Sequence, residues 1–158
     1  MNSNYLYSNY FFCTKGDIIM SSSFHYLVMA QHSIFQKKLL AKLKGTGLTS
    51  GQPKVLDYLK DHDGASQKDI AHGCHIEPGT LTTLLNRMEE IGLVERRMLG
   101  GNRRSFYVFM TDLGKSKLKL VTDAFNELEE EAFSDISAED RENFMDLFQK
   151  IYKNTAHL

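Results

Sequence analysis

His72, Cys74 and His75 lie within four consecutive positions, with His62 ten residues before them, and imidazole and thiolate are the ligands zinc takes. Their spacing matches no strong zinc motif, and an ion there would disturb the turn between two helices. A buried thiol beside surface imidazoles is the simpler reading, and no metal is expected. Redox sensing would need an accessible cysteine of lowered pKa; Cys13, with tyrosines nearby in sequence, is not expected to be one. Cys13 and Cys74 are far apart, so no structural disulfide is expected. There is no glycine-rich phosphate loop, no metal-ligand pair at helical spacing and no nucleophile motif, which argues against an enzyme and leaves no cofactor to assign.

Contact with a polyanion is the chemistry the remaining polar residues could do. Between Leu93 and Met110 stand Arg96, Arg97, Arg103 and Arg104 against Glu95 alone. The net charge of −1 hides this: residues 1–52 carry +4, residues 53–110 are neutral and residues 111–158 carry −5. Just upstream, Gly79, Thr80, Thr82, Thr83, Asn86 and Arg87 form a small, hydrogen-bonding series. Threonine hydroxyls can meet phosphates or bases, a threonine methyl can meet the thymine methyl, and asparagine can pair with adenine. A solvated helix surface accounts equally well for any one of these residues; the face taken together points to DNA.

The elements that must position these groups follow from periodicity. Apolar residues from Ser23 to Lys44, namely Phe24, Leu27, Ile34, Phe35, Leu39 and Leu43, predict a long amphipathic helix. A second helix runs through Pro53, Val55, Leu56 and Leu59, with Thr49 or Ser50 as its cap. Ser66 and Asp69 predict a capped start for a third, short helix broken at Gly73. Pro78 opens a fourth, with Leu81, Leu84, Leu85, Met88 and Ile91 facing inward and Gly92 as its stop. Two strand-like segments, Leu93–Leu99 and Ser105–Met110, flank Gly100-Gly101-Asn102 and read as a hairpin, with Arg103 and Arg104 beside its tip. Thr111 caps a further helix carrying Leu113, Leu118, Leu120, Val121, Phe125, Leu128 and Phe133. Ser137 and Asp140 open a last one with Phe144, Leu147, Phe148 and Ile151.

The expected fold is therefore mostly α with a small β-hairpin wing, a winged helix-turn-helix between about Ser66 and Gly114. A helix of this width fits the DNA major groove, while the hairpin reaches the backbone or the minor groove. The candidate DNA-contacting residues are Ser66, Gln67, Gly79, Thr80, Thr82, Thr83, Asn86, Arg87, Arg97, Arg103 and Arg104. Arg96 and Arg97 point to opposite faces of one strand, so one of that pair could serve a structural ion pair.

The run QKDIAHGCHIEPGTLTTLLNRMEEIGLVERRMLGGNRRSFYVFMTDLGK resembles the MarR family of bacterial regulators, above all in GTLTTLLNRMEEIGLVERR, the arginine-bearing wing and Thr111-Asp112-Leu113-Gly114. The resemblance implies a homodimer whose N- and C-terminal helices interlock, each subunit reading half of a pseudo-palindromic operator in double-stranded DNA. It divides the chain into an extension (1–20), a dimerisation helix (21–48), a DNA-binding lobe (49–110) and C-terminal dimerisation helices (111–158). It also implies a repressor released by a small aromatic effector; His25, Tyr26 and His32 on the first helix could line such a pocket, but core or interface packing is the expected role of each. Where many members carry an acidic residue ahead of the wing arginine, this chain has Gly101 and Asn102, so Arg103 is not expected to have that ion-pair partner. A metal- or redox-responsive regulator and a winged-helix protein-interaction module are the alternatives. No apolar run approaches the length of a membrane-spanning helix and residues 1–20 lack the features of a secretion signal, so a cytoplasmic protein without membrane contact is expected. Met20, ahead of three serines, is a second possible start.

Overall fold

Apolar side chains at three- and four-residue spacing draw most of this chain into helices. A computed structural model describes residues 23–98 and 106–156. Its helices are α1 (Phe24–Lys42), α2 (Gln52–Asp61), α3 (Gln67–Gly73), α4 (Pro78–Glu90), α5 (Asp112–Ala132) and α6 (Ala138–Ala156). Its strands are β1 (Ala65–Ser66), β2 (Val94–Met98) and β3 (Phe106–Met110). No helix among the described residues is long and apolar enough to cross a membrane.

The chain divides into two units, Met1–Phe35 and Gln36–Leu158, with the boundary inside α1. In the first, Phe24, Leu27, Met29 and Ile34 are exposed. In the second, Leu39 and Leu43 join the core, and Lys38 and Lys42 pair with Glu127 and Glu131 of α5 at 2.8–3.0 Å. Leu43 lies one residue past the end of α1.

The core of the second unit is built by α2 against α5 and α3 against α4. Val55, Leu56 and Leu59 of α2, Ile70 of α3, Leu81, Leu85 and Met88 of α4, and Val121 and Leu128 of α5 are buried. Each such side chain contributes about 1.5–3 kcal/mol relative to exposure, which is what holds the short helices in place. The expected cap of α2 differs from the observed one. Gly51, at φ 86°, takes that place rather than Thr49 or Ser50, and the buried Gln52 side chain accepts the Thr49 N–H at 2.8 Å. Two further expectations are corrected. Ile91, expected to face inward, is 48% exposed, because α4 ends at Glu90 and the chain turns at Gly92. On α5 only part of the apolar series is buried: Val121 and Leu128 are covered, whereas Leu113 and Leu120 remain exposed.

The hairpin expectation holds at both strands. β2 pairs antiparallel with β3, Val94 opposite Met110 and Met98 opposite Phe106, and the two-residue β1 adds to the other side of β3. The base of this sheet is clamped at two places. Asp63 accepts the Met110 N–H at 2.7 Å, and the Thr111 hydroxyl donates to Gly92 O at 2.5 Å while accepting the Gly114 N–H at 3.0 Å. Gly114 sits so close to the residue before β2 that a Cβ there would lie 2.1 Å from the Leu93 carbonyl oxygen.

Candidate nucleic-acid interface

The helix-turn-helix starts at the Ser66 hydroxyl, which accepts the Asp69 N–H at 3.2 Å and donates to the Asp69 carboxylate at 2.7 Å. That reciprocal pair fixes the first turn of α3. After Gly73 the backbone closes tightly: Cys74 N–H donates to Ile70 O at 2.8 Å and Ile76 N–H to Ala71 O at 2.9 Å, with His75 left-handed at φ 48°. Glu77 then precedes α4 without a side-chain cap, and Pro78 occupies the first turn. The leading N–H groups of α4 consequently have no side-chain acceptor from the cap position, a setting that favours an anion.

Burial of Leu81, Leu85 and Met88 turns the other face of α4 outward, and Gly79, Thr80, Thr82, Thr83, Asn86 and Arg87 are all exposed there. The Thr82 hydroxyl donates to Pro78 O at 2.9 Å and that of Thr83 to Gly79 O at 3.3 Å. With their protons used along the helix, these oxygens present lone pairs outward and suit base amino groups; donating to a phosphate would require them to rotate first. Gly79 has open space around it, with no heavy atom within 4 Å of a built Cβ.

Between α3 and α4 runs a cleft of about 430 Å³ lined by Gln67, Lys68, Ala71, His72, Ile76, Pro78, Leu81 and Thr82. It brings Gln67 and Thr82 together and adds Lys68, a cation next to Gln67 that the sequence reading passed over. Ser66 lies at its own cap, committed to Asp69.

The sheet separates the two adjacent arginines. Arg96 is the structural one: its Nε and Nη2 donate to the Glu89 carboxylate at 3.0 and 2.5 Å, and its backbone N–H donates to the same group at 3.1 Å. The Arg96 guanidinium beside Glu89 holds that carboxyl below its ordinary value. Glu89 thereby ties the end of α4 to the root of the wing, a role whose only sequence signal is opposite charge on either side of Gly92. Arg97 pairs with Glu95 and lies 4.8 Å from the centre of the Phe109 ring, yet its side chain stays 55% exposed. Arg103 and Arg104 lie outside the described residues.

Cys74 is 1% exposed, its thiol 3.7 Å from Lys54 O, and burial pushes the thiol pKa up. Among the described residues no three His, Cys, Asp or Glu side chains come together as a metal site.

Known proteins share this arrangement. The profile of the MarR family matches residues 48–106. YwoH, an HTH-type transcriptional regulator of Bacillus subtilis (strain 168), is 33% identical over 116 residues, 73% of this chain and 84% of that protein. The transcriptional regulator HosA of Escherichia coli O127:H6 is 31% identical over 66% of this chain and 77% of its own. The crystal structure of the S. aureus MepR-DNA complex superposes with a TM-score of 0.78 at 26% identity, covering 85% of this chain and 99% of that one. With a sheet-rooted wing, a capped α3 and an outward polar face on α4, and with relatives aligned over most of its length, the chain belongs to the MarR family of transcriptional regulators.

Proposed function

We propose that the protein binds a pseudo-palindromic operator in double-stranded DNA as a homodimer, with α4 in the major groove and the wing against the backbone or minor groove. The observation that carries this is the division of α4 into a buried apolar side and an exposed side of Gly79, Thr80, Thr82, Thr83, Asn86 and Arg87. Asn86 and the threonines meet base edges, Arg87 and Gln67 meet the backbone, Ser66 holds the start of α3 through Asp69, and Arg97, Arg103 and Arg104 serve the wing. The MepR relative, solved with DNA, supports that use of the fold.

Support for the dimer comes from α6, which buries no side chain in the single chain and exposes Phe144, Met145, Leu147, Phe148 and Tyr152. An apolar surface of that size needs a partner. Residues 49–110 then act as the DNA lobe, 21–48 and 111–158 supply the dimer helices, and 1–20 form an extension. Membership of this family favours repression relieved by a small aromatic effector, in the cytoplasm.

The test is binding to a duplex from its own upstream region across a salt series. Specific binding should weaken steeply with salt. Arg103→Ala should lower affinity for all sequences, and Asn86→Ala should mainly change sequence preference. Absence of specific binding at low salt overturns the proposal, and normal binding by Arg103→Ala overturns the wing assignment.

A further inference from the structure

α6 touches the rest of the chain near both ends, through side chains that themselves stay partly exposed. At its start Arg141 reaches Glu129 and Glu130 of α5 at 3.2 and 3.4 Å, and Phe144 packs on Phe133 with ring centroids 5.9 Å apart. Near its end Tyr152 reaches into the helix-turn-helix: its hydroxyl lies 2.9 Å from Nε2 of His75, with the two rings edge to face at 5.7 Å and 82°. The 77 residues between these partners make this a tertiary contact.

His75 is an unusual residue for its position. It closes α3 with φ 48°, a left-handed conformation that a side chain makes costly and that glycine or asparagine adopts more readily. A histidine there gives up local backbone stability and gains an imidazole directed at Tyr152. Since either ring nitrogen can carry the proton, the contact can form with the hydroxyl donating to a neutral imidazole or accepting from it. Two residues beyond His75 the chain reaches Glu77 and enters α4, so a contact that fixes this turn also fixes where the reading helix begins.

We propose that Tyr152 is a positioning residue for DNA reading: through His75 it registers the start of α4 against the dimerisation helix α6, and so sets the half-site spacing at which the two lobes of a dimer bind. The inference rests on the dimeric, DNA-binding reading above. A lobe held only by its own backbone would pivot and accept operators of several spacings. A lobe tied to α6 presents α4 at one separation from its counterpart, because dimer-bound recognition helices must meet grooves about one helical turn apart.

The experiment uses the full chain and a duplex selected with the wild type, together with versions in which one or two base pairs are added to or removed from the centre. Tyr152→Phe keeps the ring and deletes the hydroxyl. His75→Asn tolerates the left-handed backbone but is too short to reach Tyr152, and it keeps the test alive if the first variant folds poorly. The wild type should discriminate sharply between spacings. Both variants should remain dimers by sedimentation yet lose about three- to tenfold of that discrimination, the range expected for one hydrogen bond. Loss of affinity with an unchanged discrimination ratio would show a merely structural contact and overturn the inference. A wild type that is monomeric, or that binds no duplex specifically, overturns the underlying reading and this inference with it.

Discussion

Gly79→Ala separates stability from function by moving them in opposite directions. Gly79 sits in the first turn of α4 with ordinary helical backbone, and a methyl built on it meets no heavy atom within 4 Å. Nothing inside the described chain therefore calls for glycine here, and in a helix glycine costs about 0.5–1 kcal/mol relative to alanine. At a first-turn position the substitution should stabilise by about 0.5 kcal/mol, raising Tm by roughly 1–2 °C. If instead the open space is where DNA approaches, the methyl will hold the backbone off the leading N–H groups of α4. Losing one well-made charged hydrogen bond costs about 1.5 kcal/mol, or roughly tenfold in Kd. Urea unfolding at fixed protomer concentration gives the first quantity, and fluorescence anisotropy at one fixed salt concentration gives the second. A loss of stability would refute the open space; an affinity within about twofold of wild type, a shift under 0.5 kcal/mol, would refute the close approach of DNA to the start of α4.

Glu89→Gln should cost about 0.5–1 kcal/mol at neutral pH, modest because the Glu89 side chain is 39% exposed. Since Arg96 lowers the folded pKa of Glu89 from 4.5, the wild-type advantage should be complete above that value and fade as pH falls through the folded pKa. Unfolding midpoints that stay equally far apart down to about pH 3 would contradict this origin. Gly114→Ala, which sets a methyl 2.1 Å from a backbone oxygen, should destabilise by about 2–3 kcal/mol in urea, and unchanged stability would show that α5 and β2 can part freely. In a Cys13→Ser background the Cys74 thiol should react with a thiol reagent far more slowly when native than when unfolded, whereas equally fast native reaction would contradict its burial.

The polar face of α4 was legible from one dimension because everything that makes it is local. Pro78 opens the helix, Leu81, Leu85 and Met88 repeat at the helical period, and Gly92 ends the turn that follows. The caps at Ser66, Thr111 and Ser137 were likewise written within three residues of their partners. Periodicity could not say how an apolar residue is covered. Ile91 continues the stripe of α4 yet lies past its last turn, and Leu113 and Leu120 share a helix with buried Val121 while facing solvent in the single chain.

The sequence by itself determined the six helices, the two strands of the hairpin and the outward polar face of α4, because propensity, capping and spacing act over a few residues. Only the tertiary structure decided which arginine is spent on Glu89, that Ala65 and Ser66 become a strand by pairing with β3, and that His75 meets Tyr152. Those outcomes depend on which distant backbone packs alongside, and strand alternation or side-chain type leaves that choice open until the core has formed.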